Sequence, residues 1–222
     1  MDQGPKSYWA EFLGTFALCF VGQGAIVVQH VLGREDLLTI AAAHGIILAV
    51  MISALGAVSG GHFNPAVTFG FVTTGRQSWT SAITYWVSQV LGAVVASLLL
   101  RAAVPGEAGD AVHYGAPAIA AGVGVSQAFI LEFVLTFLLV TSVWGTAVDE
   151  RAPRIGGFGI GLTLMAGILV GGPLTGAALN PARAFGAALV SGHWNHQWLY
   201  WFAPLLGGAA AARVYKSVVL RP

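Results

Sequence analysis

The sequence predicts an all-α membrane protein with six transmembrane helices and two re-entrant half-helices, arranged as an inverted 3+3 repeat. Three observations carry this: an apolar composition, long stretches without charge, and a repeat that places two short apolar segments in matching positions. Of the 222 residues, 56% are hydrophobic and 9% charged. A soluble domain carries about a quarter charged residues, so this chain lacks the polar surface to face water all round. No Asp, Glu, Lys or Arg occurs in 37–75, 77–100, 155–182 or 184–212. Each gap exceeds the ~20 helical residues that cross a hydrocarbon core of about 30 Å.

Hydropathy places the spans at 8–32, 38–57, 79–104, 126–148, 155–170 and 197–218. The remaining apolar stretches, 63–74 and 179–190, are too short to cross. The segment from Met1 through Lys6 runs straight into an apolar stretch too long for the core of a signal peptide, so no cleaved leader is expected. Cys19, the only cysteine, lies inside the first span and excludes an internal disulfide. A net charge of +1 gives no reason to expect nucleic acid. The basic residues Lys6, Arg76, Arg151, Arg154, Arg213, Lys216 and Arg221 fall on one side and Arg34 and Arg101 on the other. By the positive-inside rule both termini are expected in the cytoplasm, and the lipid bilayer, in the cell membrane, is the expected surroundings.

The repeat is visible in the residues. Glu11-Phe12-Leu13-Gly14-Thr15-Phe16 matches Glu132-Phe133-Val134-Leu135-Thr136-Phe137, and Phe63-Asn64-Pro65-Ala66-Val67 matches Leu179-Asn180-Pro181-Ala182-Arg183. The glutamate-to-asparagine separations, 53 and 48 residues, keep the copies in phase. Each copy holds three spans, so the second is inverted. Inverted repeats with interrupted helices are an architecture of membrane transport. A single domain, 1–222, is expected: a first repeat at 8–104 with its half-helix at 65–74, and a second at 126–218 with its half-helix at 181–190. The stretch 105–125, rich in Gly, Ala and Pro, reads as the outer linker.

Asparagine is a preferred N-cap and proline a preferred first helical residue. Asn64-Pro65-Ala66 and Asn180-Pro181-Ala182 therefore each start a short helix, approached through Gly60-Gly61 and Gly171-Gly172. Inversion brings one half-helix in from each face, with both N-termini near the midplane. Each N-terminus carries roughly half a positive charge, a barrier to cations. An asparagine that caps its own helix through its side-chain oxygen is expected to leave its NH2 free for the lumen. A water accepting from both asparagines points its hydrogens away along the pore, which breaks the chain needed for proton hopping.

With these motifs in place, the chain resembles the aquaporin (major intrinsic protein) family over essentially its whole length. The resemblance rests on Ala10-Glu11-Phe12, Ser59-Gly60-Gly61-His62-Phe63-Asn64-Pro65-Ala66-Val67-Thr68 and Thr175-Gly176-Ala177-Ala178-Leu179-Asn180-Pro181-Ala182-Arg183-Ala184-Phe185-Gly186. It implies one channel domain per subunit, a homotetramer, and passive passage of water and small neutral solutes without a cofactor or catalytic chemistry. Arg183, one turn into the second half-helix, is a costly intramembrane charge and so a functional candidate on its own chemistry. By resemblance it is the cationic member of an outer constriction whose other members map to His44, Ile168 and Ala177. That set resembles the wider filter of plant vacuolar aquaporins and implies ammonia alongside water. Glycerol facilitators carry an acidic residue after the arginine and a basic one four positions later. Here those positions are Ala184 and Ala188, while Tyr200-Trp201 matches the water-channel side of the family.

Glu11 and Glu132 occupy equivalent depths in the first and fourth spans. Unpaired there, each would cost several kcal/mol or more, so each is expected to accept from backbone amides of a re-entrant loop. His62 is expected to line the inner vestibule. Gly157-x-x-x-Gly161 and similar pairs permit close helix approach. His193-Trp194-Asn195-His196 is a weak ligand set for a metal, and none is expected. Among other classes, a secondary transporter needs an ion-coupling site, and apart from Arg183, Glu11 and Glu132 no charge lies within the bilayer. A serine hydrolase finds no support, because neither Ser59-Gly60 nor Ser191-Gly192 has the preceding glycine of such a motif.

Overall fold

A computed structural model describes residues 4–153 and 155–220. Arg154 and Arg221, both counted in the orientation argument, lie outside the described residues. Helices α1 (Pro5–Val31), α2 (Leu37–Ser59) and α4 (Trp79–Ala103) form the spans of the first half, with the short α3 (Pro65–Thr73) between the last two. A small helix α5 (Gly106–Ala111) and a 3-10 turn (His113–Gly115) occupy the linker. The second half repeats the pattern with α6 (Val125–Val143), α7 (Gly156–Thr175), the short α8 (Pro181–Ser191) and α9 (Leu199–Val214). Among the described residues, five helices are long and apolar enough to cross a membrane. The sixth, α9, gains the necessary length from a π-helical turn, Tyr215–Val219, that continues it directly. A second π-helical turn, Trp144–Val148, extends α6.

Local chemistry explains the starts. Asp36 caps α2 by accepting from the amides of Leu38 and Thr39 at 3.0 and 3.3 Å, and Ser78 caps α4 through the Ser81 amide. Each such cap contributes about 1 kcal/mol by satisfying an orphan amide. Within the first half α1 packs on α2 and α4, and within the second α6 packs on α7 and α9. The halves interlock: α2 lies on α7, α3 packs on α9, and α8 packs on α4. Close approach depends on glycine at matched positions. A Cβ on Gly92 would overlap the Phe12 carbonyl oxygen, and one on Gly207 the Phe133 carbonyl oxygen. The outward faces are apolar, with Ile46, Phe158 and Phe202 each about three-fifths exposed, as a lipid-facing surface requires.

One boundary departs clearly from the hydropathy reading. The fifth span continues to Thr175 instead of stopping near 170, so Gly171-Gly172 is helical and not a flexible approach. Pro173 sits within this last turn, which membrane helices tolerate because neighbouring groups satisfy the freed backbone. The chain leaves α7 at Gly176, whose left-handed φ of 80° mirrors the 92° of Gly60 at the end of α2.

Candidate functional site

The approaches to the two half-helices are built on buried carboxylates. Glu11 Oε1 accepts from Ser59 Oγ (2.7 Å) and the His62 amide (2.9 Å), and Oε2 from the Phe63 amide and Gln89 Nε2, both at 2.7 Å. Glu132 Oε1 accepts from Thr175 Oγ1 (2.7 Å) and the Ala178 amide (2.9 Å), and Oε2 from the Leu179 amide (2.9 Å). Tyr85 and Tyr200 donate to the carbonyls of Ser59 and Thr175 at 2.7 and 2.8 Å. The loops need such anchoring, because Phe63, Ala177 and Leu179 have φ of 48°, 41° and 51°. Non-glycine residues in this left-handed region cost of order 1–3 kcal/mol and persist only when the surroundings over-determine them.

The asparagines meet back to back. Asn64 Oδ1 accepts from the Ala66 amide at 2.8 Å, and Asn180 Oδ1 accepts from the amides of Ala182 and Arg183 at 3.0 and 3.3 Å. Their amide nitrogens are not wholly free, which corrects the expectation from sequence. Asn64 Nδ2 donates to the Leu179 carbonyl and Asn180 Nδ2 to the Phe63 carbonyl, each at 2.8 Å. These bonds cross between repeats and fix each side chain against the opposite loop. An amide NH2 carries two hydrogens, so one remains on each asparagine. Pro65 and Pro181 open the half-helices, and Ala66 and Ala182 are fully buried.

Both asparagines line a cavity between the halves, together with His62, Leu48, Val67, Leu139, Val143, Ile160 and Leu164. Its wall is thus mostly apolar, apart from the asparagines, His44, His62, Arg183 and carbonyls of the re-entrant loops. A second, outer cavity lies beyond it, and His44, Ile168 and Arg183 are common to both. Those three form the partition between them, while Ala177 faces the inner cavity alone. His44 Nδ1 lies 2.9 Å from the Ile40 carbonyl oxygen. A carbonyl only accepts, so Nδ1 carries the proton and Nε2, which has no partner among the described residues, is an acceptor. Arg183 Nη1 is likewise buried without a partner. The partition therefore offers a donor and an acceptor, with the apolar Ile168 between elements.

His62 is buried on the inner side, its Nδ1 3.1 Å from Thr68 Oγ1 and its ring 4.3 Å from that of Phe71. Sequence reasoning missed two contributors. Gly22 backs His44: a Cβ there would lie 2.8 Å from His44 Cε1 and closer still to Cδ2 and Nε2. Val112, Gly115, Ala116 and Pro117 of the linker wall the outer cavity. A glycine among apolar residues in a span, and a linker placed only by tertiary folding, leave no local pattern to find them by. In the outer loop His193 stacks on His113 at 4.3 Å between ring centroids. Among the described residues no three His, Cys, Asp or Glu side chains gather as a metal site would need.

Comparison with known proteins agrees with this geometry. The model of the major intrinsic protein family matches residues 3–215. A probable aquaporin TIP3-2 of Arabidopsis thaliana is 43% identical, over 95% of this chain and 82% of that protein. Aquaporin TIP4-4 of Zea mays is 42% identical, over 97% of this chain and 87% of its own length. The solved aquaglyceroporin of Plasmodium falciparum superposes with a TM-score of 0.86 at 25% identity, covering 96% of each chain. Six membrane-crossing helices, two asparagine-capped half-helices and these relatives together place the chain in the major intrinsic protein family, on its aquaporin branch.

Proposed function

We propose that the chain is a passive pore for water that also passes ammonia and other small neutral solutes while excluding protons and other ions. The observation that carries this reading is the asparagine pair, each capping its own half-helix and donating across to the other repeat. A water at the midplane accepts the remaining hydrogen of each Nδ2 through its oxygen. The neighbouring walls, Leu48, Val143, Ile160 and Leu164, offer that water no other partner. Its own hydrogens then point up and down the pore, and a proton arriving from either side finds no acceptor lone pair to continue through. The converging helix N-termini add a positive field against cations.

At the outer partition a neutral ammonia accepts from Arg183 and donates to His44 Nε2, whereas ammonium has no lone pair and meets a fixed cation. Ala177, on the inner side of that partition, leaves the way beyond it free of a larger side chain. The roles assigned to His44, Ile168, Ala177, Arg183, His62, Glu11 and Glu132 belong to this proposal, as does a homotetramer, inferred from family membership. Glycerol passage is the second reading. The Plasmodium falciparum protein of similar fold is an aquaglyceroporin, but Ala184 and Ala188, both fully buried here, lack the charges glycerol facilitators carry at those positions. The chain is an integral multi-pass membrane protein. The expected cell-membrane location finds no support in its relatives, whose names carry the TIP designation.

The test is stopped-flow light scattering and internal alkalinisation of proteoliposomes, comparing water, ammonia and glycerol in one preparation. Fast water and ammonia with slow glycerol is expected. Water flux with ammonia no faster than in empty vesicles would reduce the reading to a strict water channel, and glycerol as fast as water would favour the facilitator.

A further inference from the structure

We propose that Arg101 and Lys216 are a repeat-related pair of positioning cations, each closing the C-terminal end of the other repeat's half-helix. In doing so they maintain the positive field at the asparagines, an inference that rests on the channel function proposed above. Arg101, in the last turn of α4, donates from Nη1 to the Val190 carbonyl in the last turn of α8 at 3.0 Å. Lys216, in the turn that continues α9, donates from Nζ to the carbonyl of Thr74, the C-cap of α3, at 2.7 Å. The two residues stand 115 positions apart, the same offset that separates Tyr85 from Tyr200 and Gly92 from Gly207. One position of the repeat therefore performs one task at opposite mouths of the pore.

The half-helices need a cation supplied from elsewhere. Neither α3 nor α8 has a basic residue in its own last turn. A helix C-terminus carries roughly half a negative charge, and here that end lies at a pore mouth while the positive end lies at the midplane. Left bare, each mouth would attract cations and offset the central barrier. Arg101 is also tied into its surroundings at the mouth, and a second cation, Arg76, stands near Lys216 at the other. The Arg101 guanidinium lies 5.8 Å from the ring centroid of Tyr114, which adjoins the linker wall of the outer cavity. At the inner mouth Arg76, just beyond α3, lies 5.1 Å from the ring of Trp144.

The size of the effect follows from distance. With nine residues at 1.5 Å each, α3 sets Lys216 about 13 Å from the asparagines. A unit charge at that range changes a cation's barrier by about twofold in a fully aqueous dielectric and about tenfold at an effective value near 20. Both residues are exposed while their bonds to the half-helices are part-buried, so removal of one charge is expected to raise cation permeability within that interval.

The experiment measures proton permeability and water permeability in the same proteoliposomes and reports their ratio. Arg101→Gln and Lys216→Gln keep a donor and remove the charge, and each is expected to raise the ratio by about two- to tenfold, with a larger rise in the double variant. Arg101→Lys and Lys216→Arg should restore it, which a role confined to packing would not predict. Arg213→Gln, an exposed charge elsewhere on the inner side, controls for net charge. Water-conducting glutamine variants with an unchanged ratio would overturn the inference, as would conservative variants that leak like the glutamine ones. If the unmodified protein itself passed no water, the channel reading would fail instead, so the two failures are distinct.

Discussion

Gly22→Ala tests whether the filter histidine is positioned by the helix behind it. The added methyl would lie 2.8 Å from His44 Cε1 and nearer to two other ring atoms, against a comfortable carbon contact of about 3.5–4.0 Å. The ring must retreat by about 1.2–1.7 Å. Helix α1 closes the rear, so the way left is into the lumen, toward Ile168 and Arg183. That is roughly half the diameter of a water of about 1.4 Å radius. Overpacking of this kind costs typically about 1–3 kcal/mol. Borne at the partition between the two cavities, that cost is expected to slow water and ammonia by about 5- to 150-fold. The helix itself gains, since alanine is favoured over glycine by about 1 kcal/mol in a helix interior, so the fold should survive. Gly24→Ala is the control, because its added methyl meets only Leu100 Cδ1 at 3.5 Å. Stopped-flow shrinkage at matched protein density reads the rates, and thermal melting followed by circular dichroism checks the fold. Wild-type flux through a folded Gly22→Ala protein, or equal loss in both variants, would refute the reasoning.

Three further outcomes follow from the same geometry. Glu11→Gln turns one acceptor into a donor facing the donors that now converge on it. At about 1–3 kcal/mol per unsatisfied buried group, amide exchange at His62 and Phe63 should accelerate at least about fivefold. Glu132→Gln should loosen Ala178 and Leu179 in the same way, and unchanged protection in both would argue against the anchoring role. Ala177→Cys should make water flux sensitive to mercurials, which the unmodified protein, with only the fully buried Cys19, should resist; a labelled but unaffected variant would remove Ala177 from the pore wall. Burial, and then the neighbouring His113, hold His193 below the ordinary histidine value of 6.5. The opened loop takes up a proton that the stacked one refuses, so the stack's contribution is full above pH 6.5 and is lost as pH falls below it. The amide protection factor of the linker around residue 113, which refers observed exchange to the intrinsic rate at each pH, should therefore fall between pH 7.5 and 5, and a His193→Gln variant with the same profile would contradict this.

The half-helices were legible because Asn-Pro carries its own instruction: the side chain caps and the ring fixes the first φ. The glutamates were legible because an ionised group in a span must find donors, and a re-entrant loop holds unpaired ones. Gly171-Gly172 misled because two glycines before a proline look like a loop, while packing held them in α7. The filter was reached only by counting from the asparagines along a family pattern, since His44 and Ile168 have no local signature. Gly22, the linker wall and the cross-repeat bonds of Asn64 and Asn180 exist only once the two halves interlock. Their partners stand as far as 117 residues away in the chain.

The central claim is that the asparagine pair passes water while breaking proton conduction. Its most direct test is simultaneous measurement of osmotic water flux and proton flux through the purified unmodified protein in one vesicle preparation carrying an internal pH dye. The account predicts water flux well above that of empty vesicles, with a proton turnover per pore many orders of magnitude below its water turnover. A proton flux through the protein comparable in turnover to its water flux would contradict it.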